Sequence, residues 1–374
     1  MNPTRLVRFL SVVFVVGLAA AACSSSGDGD SSGGDGADGG GGGGAQVAGV
    51  AGACPDQGPA RIGAAYPIPI DLFATYEDVV TAELEAAGHE VQTVVGPIPP
   101  EPTQQRFDVE SMIDQGVDVL IVAPINPSAM APALDRAREE GIPIVGIDIA
   151  ADLVDEYATN ITGTNFTAAE DAAAYMAELV GEGGTVAIMN GPDFAGRPLV
   201  ERAEGFAEGA EAAGLEVVDT QIDTAITPES AQEIATGWRQ QFPDLDGVLV
   251  FGDPSGIGVQ AATDDSWDPV VMSINGEVAA IDAIGAGSLA ATYDLLPILH
   301  GYLLAYAADQ AFCGNELADE IVIPTVQVDE SNVDAWTPLD EQRALPFSVE
   351  LEERDGRTFV VVPDGFPFSS GGSG

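Results

Sequence analysis

Apolar and polar positions along the chain fall into a pattern that is written twice. From Arg61 to about residue 150, short runs that are almost wholly apolar alternate with longer runs that turn one apolar face every three or four residues. The series reads "RIGAAY", "YEDVVTAELEAAGH", "EVQTVVG", "FDVESMIDQG", "VDVLIVAP", "MAPALDRAREEG" and "IPIVGID". Uninterrupted apolar runs between turn residues predict strands covered on both faces, and the amphipathic runs predict the helices that cover them, which is the composition of a parallel sheet. Residues 185–276 repeat the series with "TVAIMNG", "LVERAEGFAEGAEAAG", "LEVVDTQI", "PESAQEIATGWRQQF", "LDGVLVFGD", "GIGVQAATDD" and "PVVMSING". Asp118 precedes Asp148 by thirty residues, and Asp246 precedes Asn275 by twenty-nine. The chain is therefore expected to be α/β, with two Rossmann-like lobes built on parallel sheets with right-handed crossovers.

The chain then returns to both lobes. "GSLAATYDLLPILHGYLLAYAADQAF" predicts one more strand and a long apolar helix, and "ADEIVIPTVQVDESNV" predicts further extended chain. The first lobe is expected over 58–160 with about 295–322, and the second over 161–294 with about 323–368. Several crossings between lobes make a hinge, and the strand ends that face it form the natural pocket. "SVELEERDGRTFVVV" alternates on either side of Asp355-Gly356, a two-residue hairpin signal, and falls in the stretch given to the second lobe. Residues 369–374, "SSGGSG", are expected to be disordered.

The start of the chain sets the compartment. Arg5 and Arg8 precede an apolar stretch, Phe9 to Ala22, that ends "LAAAAC" and is too short to span a bilayer. Residues 1–22 resemble a bacterial lipoprotein signal, which implies that Cys23 becomes the first mature residue and carries the lipid. The usual Leu three residues before the Cys is replaced by Ala20, and a secreted protein cut elsewhere without lipid is the alternative. Residues 23–57 are rich in Gly, Ser and Asp and cannot build a core. About thirty such residues make a flexible tether with an r.m.s. span of roughly 30 Å.

Charge and cysteine usage narrow the function further. The formal charge is −48, and all twelve basic residues are arginine. So acidic a surface repels nucleic acid and anionic lipid. With Cys23 lipidated, Cys54 and Cys313 remain as an even pair in an oxidising compartment, expected to close a disulfide within the first lobe. His89 and His300 are the only histidines, and no cysteine has metal-ligand spacing. No nucleophile–base pair, phosphate loop or dinucleotide motif is visible, so an enzyme is not expected, nor is a cofactor or metal. Asn160 and Asn165 stand in N-x-T patterns, weak glycosylation signals behind a bacterial leader.

One apolar strand ends on a carboxylate. Asp148 closes "IPIVGID" at the carboxyl edge of the predicted sheet, where ligands of such sheets bind, and is either a cap or loop acid or a ligand group. The runs "DVLIVAPINPSAMAPALDRAREEGIPIVGID", "RAEGFAEGAEAAG", "DGVLVFGDPSGIGVQAA" and "LAATYDLLP" resemble type I periplasmic binding proteins of the ribose and galactose kind, over roughly residues 58–330. These are the solute-binding subunits of importers driven by an ATP-binding cassette. The resemblance implies that Asp148 accepts ligand hydroxyls. In the loop after the first strand, "YPIPIDLF", it points to Phe73 as an aromatic wall or a core residue, with Tyr66 and Asp71 standing in for the family's amide. In the second lobe the family's ligand arginine falls on Val200, while Arg202 matches a structural arginine. Arg197 and Phe194, in "NGPDFAGRP", are the candidates to reach the cleft, Arg197 otherwise being a solvated loop residue. Asp253 keeps an acid position that is either ligand-binding or helix-capping, Asn275 replaces an Asp, and Asp294 lies beside Leu295, where ribose proteins have Gln.

The resemblance implies an extracytoplasmic, membrane-anchored, monomeric receptor that closes on a small polar ligand, a sugar by family, and delivers it to the permease subunits of the importer. The alternatives are a receptor reporting to a membrane signalling protein, or a pocket for a cation such as a polyamine if Asp148, Asp253 and Asp294 all face the cleft without Arg197.

Overall fold

A computed structural model of the chain describes residues 50, 54, 57–149, 157–192, 196–345, 348–354, 356–363 and 365–368, together with the backbone of 45–47. The leader, Cys23, most of the tether, Phe194 and the tail 369–374 lie outside the described residues. In chain order the elements are β1 (Ala45–Val47), β2 (Arg61–Tyr66), α1 (Asp71–Ala86), β3 (Glu90–Val95), α2 (Pro102–Asp114), β4 (Val119–Val122), α3 (Pro127–Glu139), β5 (Ile144–Ile147) and β6 (Thr159–Gly163). The second series comprises α4 (Asn165–Val180), β7 (Thr185–Asn190), α5 (Arg197–Ala212), β8 (Glu216–Ile222), α6 (Pro228–Gln241), β9 (Gly247–Val250), α7 (Asp253–Gln260), β10 (Val270–Asn275), α8 (Val278–Gly285) and β11 (Ala291–Asp294). The returning elements are α9 (Pro297–Phe312), β12 (Glu320–Ile323), β13 (Val326–Asp329), α10 (Leu339–Arg343), β14 (Val349–Arg354) and β15 (Arg357–Val361).

The strands form two sheets, ordered β1-β14-β15-β12-β6-β5-β4-β2-β3 and β13-β11-β10-β9-β7-β8. Within each repeat every pairing is parallel. The third strand of each repeat lies on the far side of the first from the second, so each sheet reverses its order beside β2 or β7 and opens a crevice at its carboxyl edge. The paired acids that set the repeat spacing share one task. Asp118 accepts the backbone N–H of Arg61 at 2.8 Å, and Asp246 accepts that of Thr185 at the same distance, each tying the start of the first strand to the loop before the third.

The apolar runs of β2, β4, β5, β7, β9 and β10 are buried on both faces as expected, whereas β3 and β8, at the sheet edges, are half-buried or exposed. In β4, Val119 and Ile121 belong to one packed cluster, and Leu120 and Val122 to another formed with Val109, Met112, Met130 and Leu134 of α2 and α3. Helix starts follow local chemistry. Pro127 opens α3 after Asn126, whose side chain accepts Ala129 N–H at 2.9 Å, and a Thr227–Ser230 capping box opens α6. Helix α9 is buried nearly all round and lies on α1, with Gly301 set against Val79 where a side chain would collide. Cys313, at the end of α9, is bonded to Cys54 ahead of β2, with Cα atoms 5.5 Å apart.

The last segment departs from the expected assignment. Strand β13 joins the second sheet, antiparallel to β11, but the hairpin β14–β15 joins the first, where β15 runs parallel to β12 and β14 accepts β1. The stretch about 323–368 is therefore shared between the lobes. Only after β12 and β6 have paired does the first sheet have an edge for β15, and alternation within the hairpin carries no information about that edge. Between β13 and β14 the chain passes over the hinge. Trp336 Nε1 donates to Asp294 at 2.9 Å, and the Arg343 guanidinium donates to the Asp78 carbonyl at 3.0 Å.

Candidate functional site

Four connections pass between the lobes: β6 to α4, β11 to α9, β12 to β13, and β13 to β14. Two of them are tied together by Thr164, whose N–H donates to the Ile323 carbonyl at 3.2 Å and whose hydroxyl accepts Thr325 N–H at 3.0 Å. Between the carboxyl edges of the sheets lies a cleft of about 90 Å³. Ile68, Phe73, Ile125 and Ile147 border it from the first lobe, and Leu199, Ile226 and Phe251 from the second.

Of the residues expected to bind ligand, Phe73, Asp148 and Asn275 line this cleft. Asp148 and Asn275 are the corresponding ends of β5 and β10, so the internal repeat brings its two polar strand ends together from opposite lobes. Among the described residues, the non-glycine residues with positive φ are Asp148 at 53°, Ile226 at 57°, Asn275 at 142° and Leu296 at 54°, and the first three border the cleft. Such conformations persist only where surrounding structure holds them, and they concentrate at binding sites. Ile226, a β-branched residue, is held by buried Asp223, which accepts the N–H groups of Ala225 and Ile226 at 3.1 Å and the hydroxyls of Ser230 at 2.6 Å and Ser255 at 2.7 Å.

Asp148 Oδ1 accepts the Thr162 hydroxyl at 2.7 Å and Asn165 Nδ2 at 3.4 Å. Arg202 enters from α5, is buried, and lines the cleft opposite. Its Nε donates to Asn165 Oδ1 at 2.9 Å, and its Nη1 to the Phe251 carbonyl at 2.6 Å and to Asn275 Oδ1 at 3.0 Å. Burial lowers the pKa of Arg202, and the nearby charges of Asp148 and Asp253 oppose that shift. Asn165 thus touches both charged groups, and Asn160 accepts Ile149 N–H at 3.1 Å while donating to Glu320 at 3.0 Å. Both N-x-T asparagines are buried parts of the frame. Arg202, matched to a structural arginine, makes structural hydrogen bonds and also faces the cleft; its spacing before "GF" showed the first role alone.

The other candidates are placed elsewhere. Tyr66 is fully buried at the end of β2, with its hydroxyl unpartnered among the described residues, and Asp71 stands exposed in the first turn of α1. Arg197 donates to Glu201 and Glu320, each at 2.5 Å, and to the Ile149 carbonyl at 3.3 Å, so it clasps α5 to the first lobe without lining the cleft. Asp253 accepts the Ser273 and Thr292 hydroxyls and Glu277 N–H, and Asp294 accepts Leu296 N–H at 2.7 Å and Trp336 Nε1 at 2.9 Å. Both acids are buried supports of strand ends and loops. Burial raises Asp253, pushes Asp294 up to about 7, and, together with the charge of Asp253, pushes Glu277 up to about 8. With those acids turned inward, Asp148 is the one acid among the described residues that lines the cleft, and Arg202 stands in the same wall. Among the described residues, no group of His, Cys, Asp and Glu could hold a metal ion.

A family model described as periplasmic binding protein domain matches residues 65–316. The chain is 30% identical over 243 residues to the ribose import binding protein of Bacillus subtilis, covering 65% of this chain and 78% of that protein. It is 24% identical over 274 residues to a xylitol-binding protein of Mycolicibacterium smegmatis, covering 70% and 76%. Its fold is similar to that of an ABC transporter solute-binding protein from Mycobacterium smegmatis with bound glycerol, with a TM-score of 0.69 at 24% identity over 75% of this chain and 97% of the other.

Proposed function

This chain belongs to the periplasmic binding protein family, and on that premise we propose that it is an extracytoplasmic receptor whose lobes close on a sugar or polyol for delivery to an ABC permease. The observation that carries the reading is the placement of Asp148, from the first lobe, and Arg202, from the second, in the wall of one cleft at the hinge. Asp148 Oδ2 has no hydrogen bond among the described residues, while its Oδ1 is fixed by Thr162. A fixed, ionised acceptor suits a ligand hydroxyl, because such bonds are stronger than neutral ones and an analogue lacking the hydroxyl leaves the acceptor unpaired. The relatives with ribose and xylitol in their names favour the same class.

Cys23 carries the lipid anchor in this reading, and the receptor acts as a monomer held at the outer face of the membrane. The roles proposed at the site are stacking for Phe73, hydroxyl binding for Asp148 and Arg202, and positioning for Asn165 and Asn275. A thermal-shift screen of the mature chain against pentoses, hexoses, polyols and polyamines tests this, because a ligand that binds only the folded state raises its melting temperature. Stabilisation by a sugar or polyol, confirmed by calorimetry, is the expected result. Stabilisation by polyamines alone would refute it.

A further inference from the structure

Among the described residues, the cleft offers a ligand very few polar groups. Of those that line it, Asp148, Arg202 and Asn275 alone have side-chain hydrogen-bonding groups; the others are Ile, Leu, Phe, Pro, Ala or Gly. Asn275 uses its amide internally, accepting from Arg202 and donating to Glu277 at 2.9 Å. Arg202 commits Nε to Asn165 and Nη1 to Phe251 and Asn275, and Asp148 commits Oδ1 to Thr162 and Asn165. Nearby backbone is used as well: the Phe251 carbonyl takes Arg202, and Gln105 holds the Ala123 carbonyl and Ile125 N–H. Among the described side chains, one carboxylate oxygen, Asp148 Oδ2, and one amino group, Arg202 Nη2, are left to face a ligand.

A pentose or hexose carries oxygen on every carbon. Enclosed here, it would press most of its hydroxyls against Phe73, Ile125, Ile147, Leu199, Ile226 and Phe251, losing water without replacement. We propose that the cleft selects a partly deoxygenated sugar. Two adjacent oxygens on one edge would meet the charged pair, one hydroxyl donating to Asp148 Oδ2 and the other oxygen accepting from Arg202 Nη2. A methyl or methylene edge would lie on the hydrocarbon walls. The two charges offset each other, so the ligand is uncharged. This deepens the sugar-receptor reading of the same cleft and rests on it.

Calorimetry on the mature chain with sugars differing by a single oxygen tests the selection: D-galactose against D-fucose, L-mannose against L-rhamnose, and D-ribose against 2-deoxy- and 5-deoxy-D-ribose. The deoxy member of at least one pair should bind about tenfold or more tighter than its parent, the scale of one stranded hydroxyl. Parents that bind as tightly as their deoxy partners, or tighter, overturn this proposal and leave the sugar receptor standing. Silence from every sugar overturns both. Leu199→Gln, on a half-buried wall position, should move the ratio toward the parent sugar, and an unchanged ratio in the folded variant would remove the hydrocarbon wall as the cause.

Discussion

Asp148 lines the cleft at φ 53° with one oxygen anchored and the other without a hydrogen bond among the described residues. Aspartate and asparagine tolerate this backbone region better than other side chains, so Asp148→Asn keeps the conformation and the acceptor for Thr162 while replacing the free charged oxygen by an amide. Ligand affinity should fall by about 1.5–3 kcal/mol with the melting temperature nearly unchanged. Calorimetry beside a melting curve checks it, and a lowered melting point with intact affinity would mark Asp148 as a turn residue. Glu277, behind the cleft, controls a pH response. Its folded pKa, pushed up to about 8 by burial and Asp253, exceeds its unfolded value of 4.5, so the folded state binds the proton more tightly. That contribution is complete below about pH 4.5 and is lost as pH rises toward 8. Burial lowers the pKa of His300, which acts oppositely below its unfolded value of 6.5, so the useful quantity is a difference between variants. Glu277→Gln, which removes only the first effect, should gain stability relative to the wild type between pH 5 and 8, by about 1–3 kcal/mol at the upper end. Urea unfolding at several pH values measures this, and a pH-independent difference would contradict it.

Among the elements, α9 does the most to unify the first lobe. It leaves the second lobe at Leu296, lies on α1 through Gly301, and ends at Cys313, bonded to Cys54 across 259 residues. Buried Asp309 on the same helix meets His89 Nε2 at 3.0 Å, and His89 Nδ1 accepts Ala60 N–H at 2.9 Å, so the helix end is held to the start of β2 twice. Closing so long a loop restricts the unfolded chain, and Cys54→Ser with Cys313→Ser should cost roughly 2–5 kcal/mol of stability. The bridge is remote from the lining of the cleft, so affinity should not change. Equal urea midpoints for the variant and the oxidised wild type would show that the bond constrains little. The parallel character of the two sheets was readable from the repeated apolar runs, because burial on both faces leaves a strand no polar alternation. The partner of the hairpin was not, because its edge exists only once β6 and β12 have met.

At the scale of the whole molecule, the lobes are held by a few polar ties besides the four connections. Arg197 on α5 reaches Glu320 on β12, and Glu320 also meets Arg357 on β15 at 2.6 Å, so one carboxylate joins the second lobe, the first sheet and the C-terminal hairpin. Arg197 and Glu320 are only about a tenth exposed, which protects their attraction from solvent. Arg197→Ala should favour separation of the lobes, weakening ligand binding up to about tenfold without removing a ligand contact. Small-angle scattering should then show a larger radius of gyration in the ligand-free variant. Unchanged scattering together with unchanged affinity would reduce the clasp to a local pair.

The sequence by itself determined what depends on local pattern: two repeated α/β units, their parallel strands, the returning chain, the cysteine pair, and the strand ends Asp148 and Asn275. Periodicity and turn chemistry act over a few residues, and the repeat spacing carries corresponding positions to corresponding places. Tertiary structure decided which acids face outward. Asp148, Asp253 and Asp294 all follow apolar strands, but Asp253 and Asp294 meet donors from Ser273, Thr292, Glu277, Leu296 and Trp336 and turn into the protein. It also gave Arg202 the place that Arg197 was expected to take, because the direction of a side chain on α5 depends on what α4, β9 and β10 set beside it. A carboxylate or guanidinium goes where its buried partners are, and for Arg202 those partners lie up to 73 residues away along the chain.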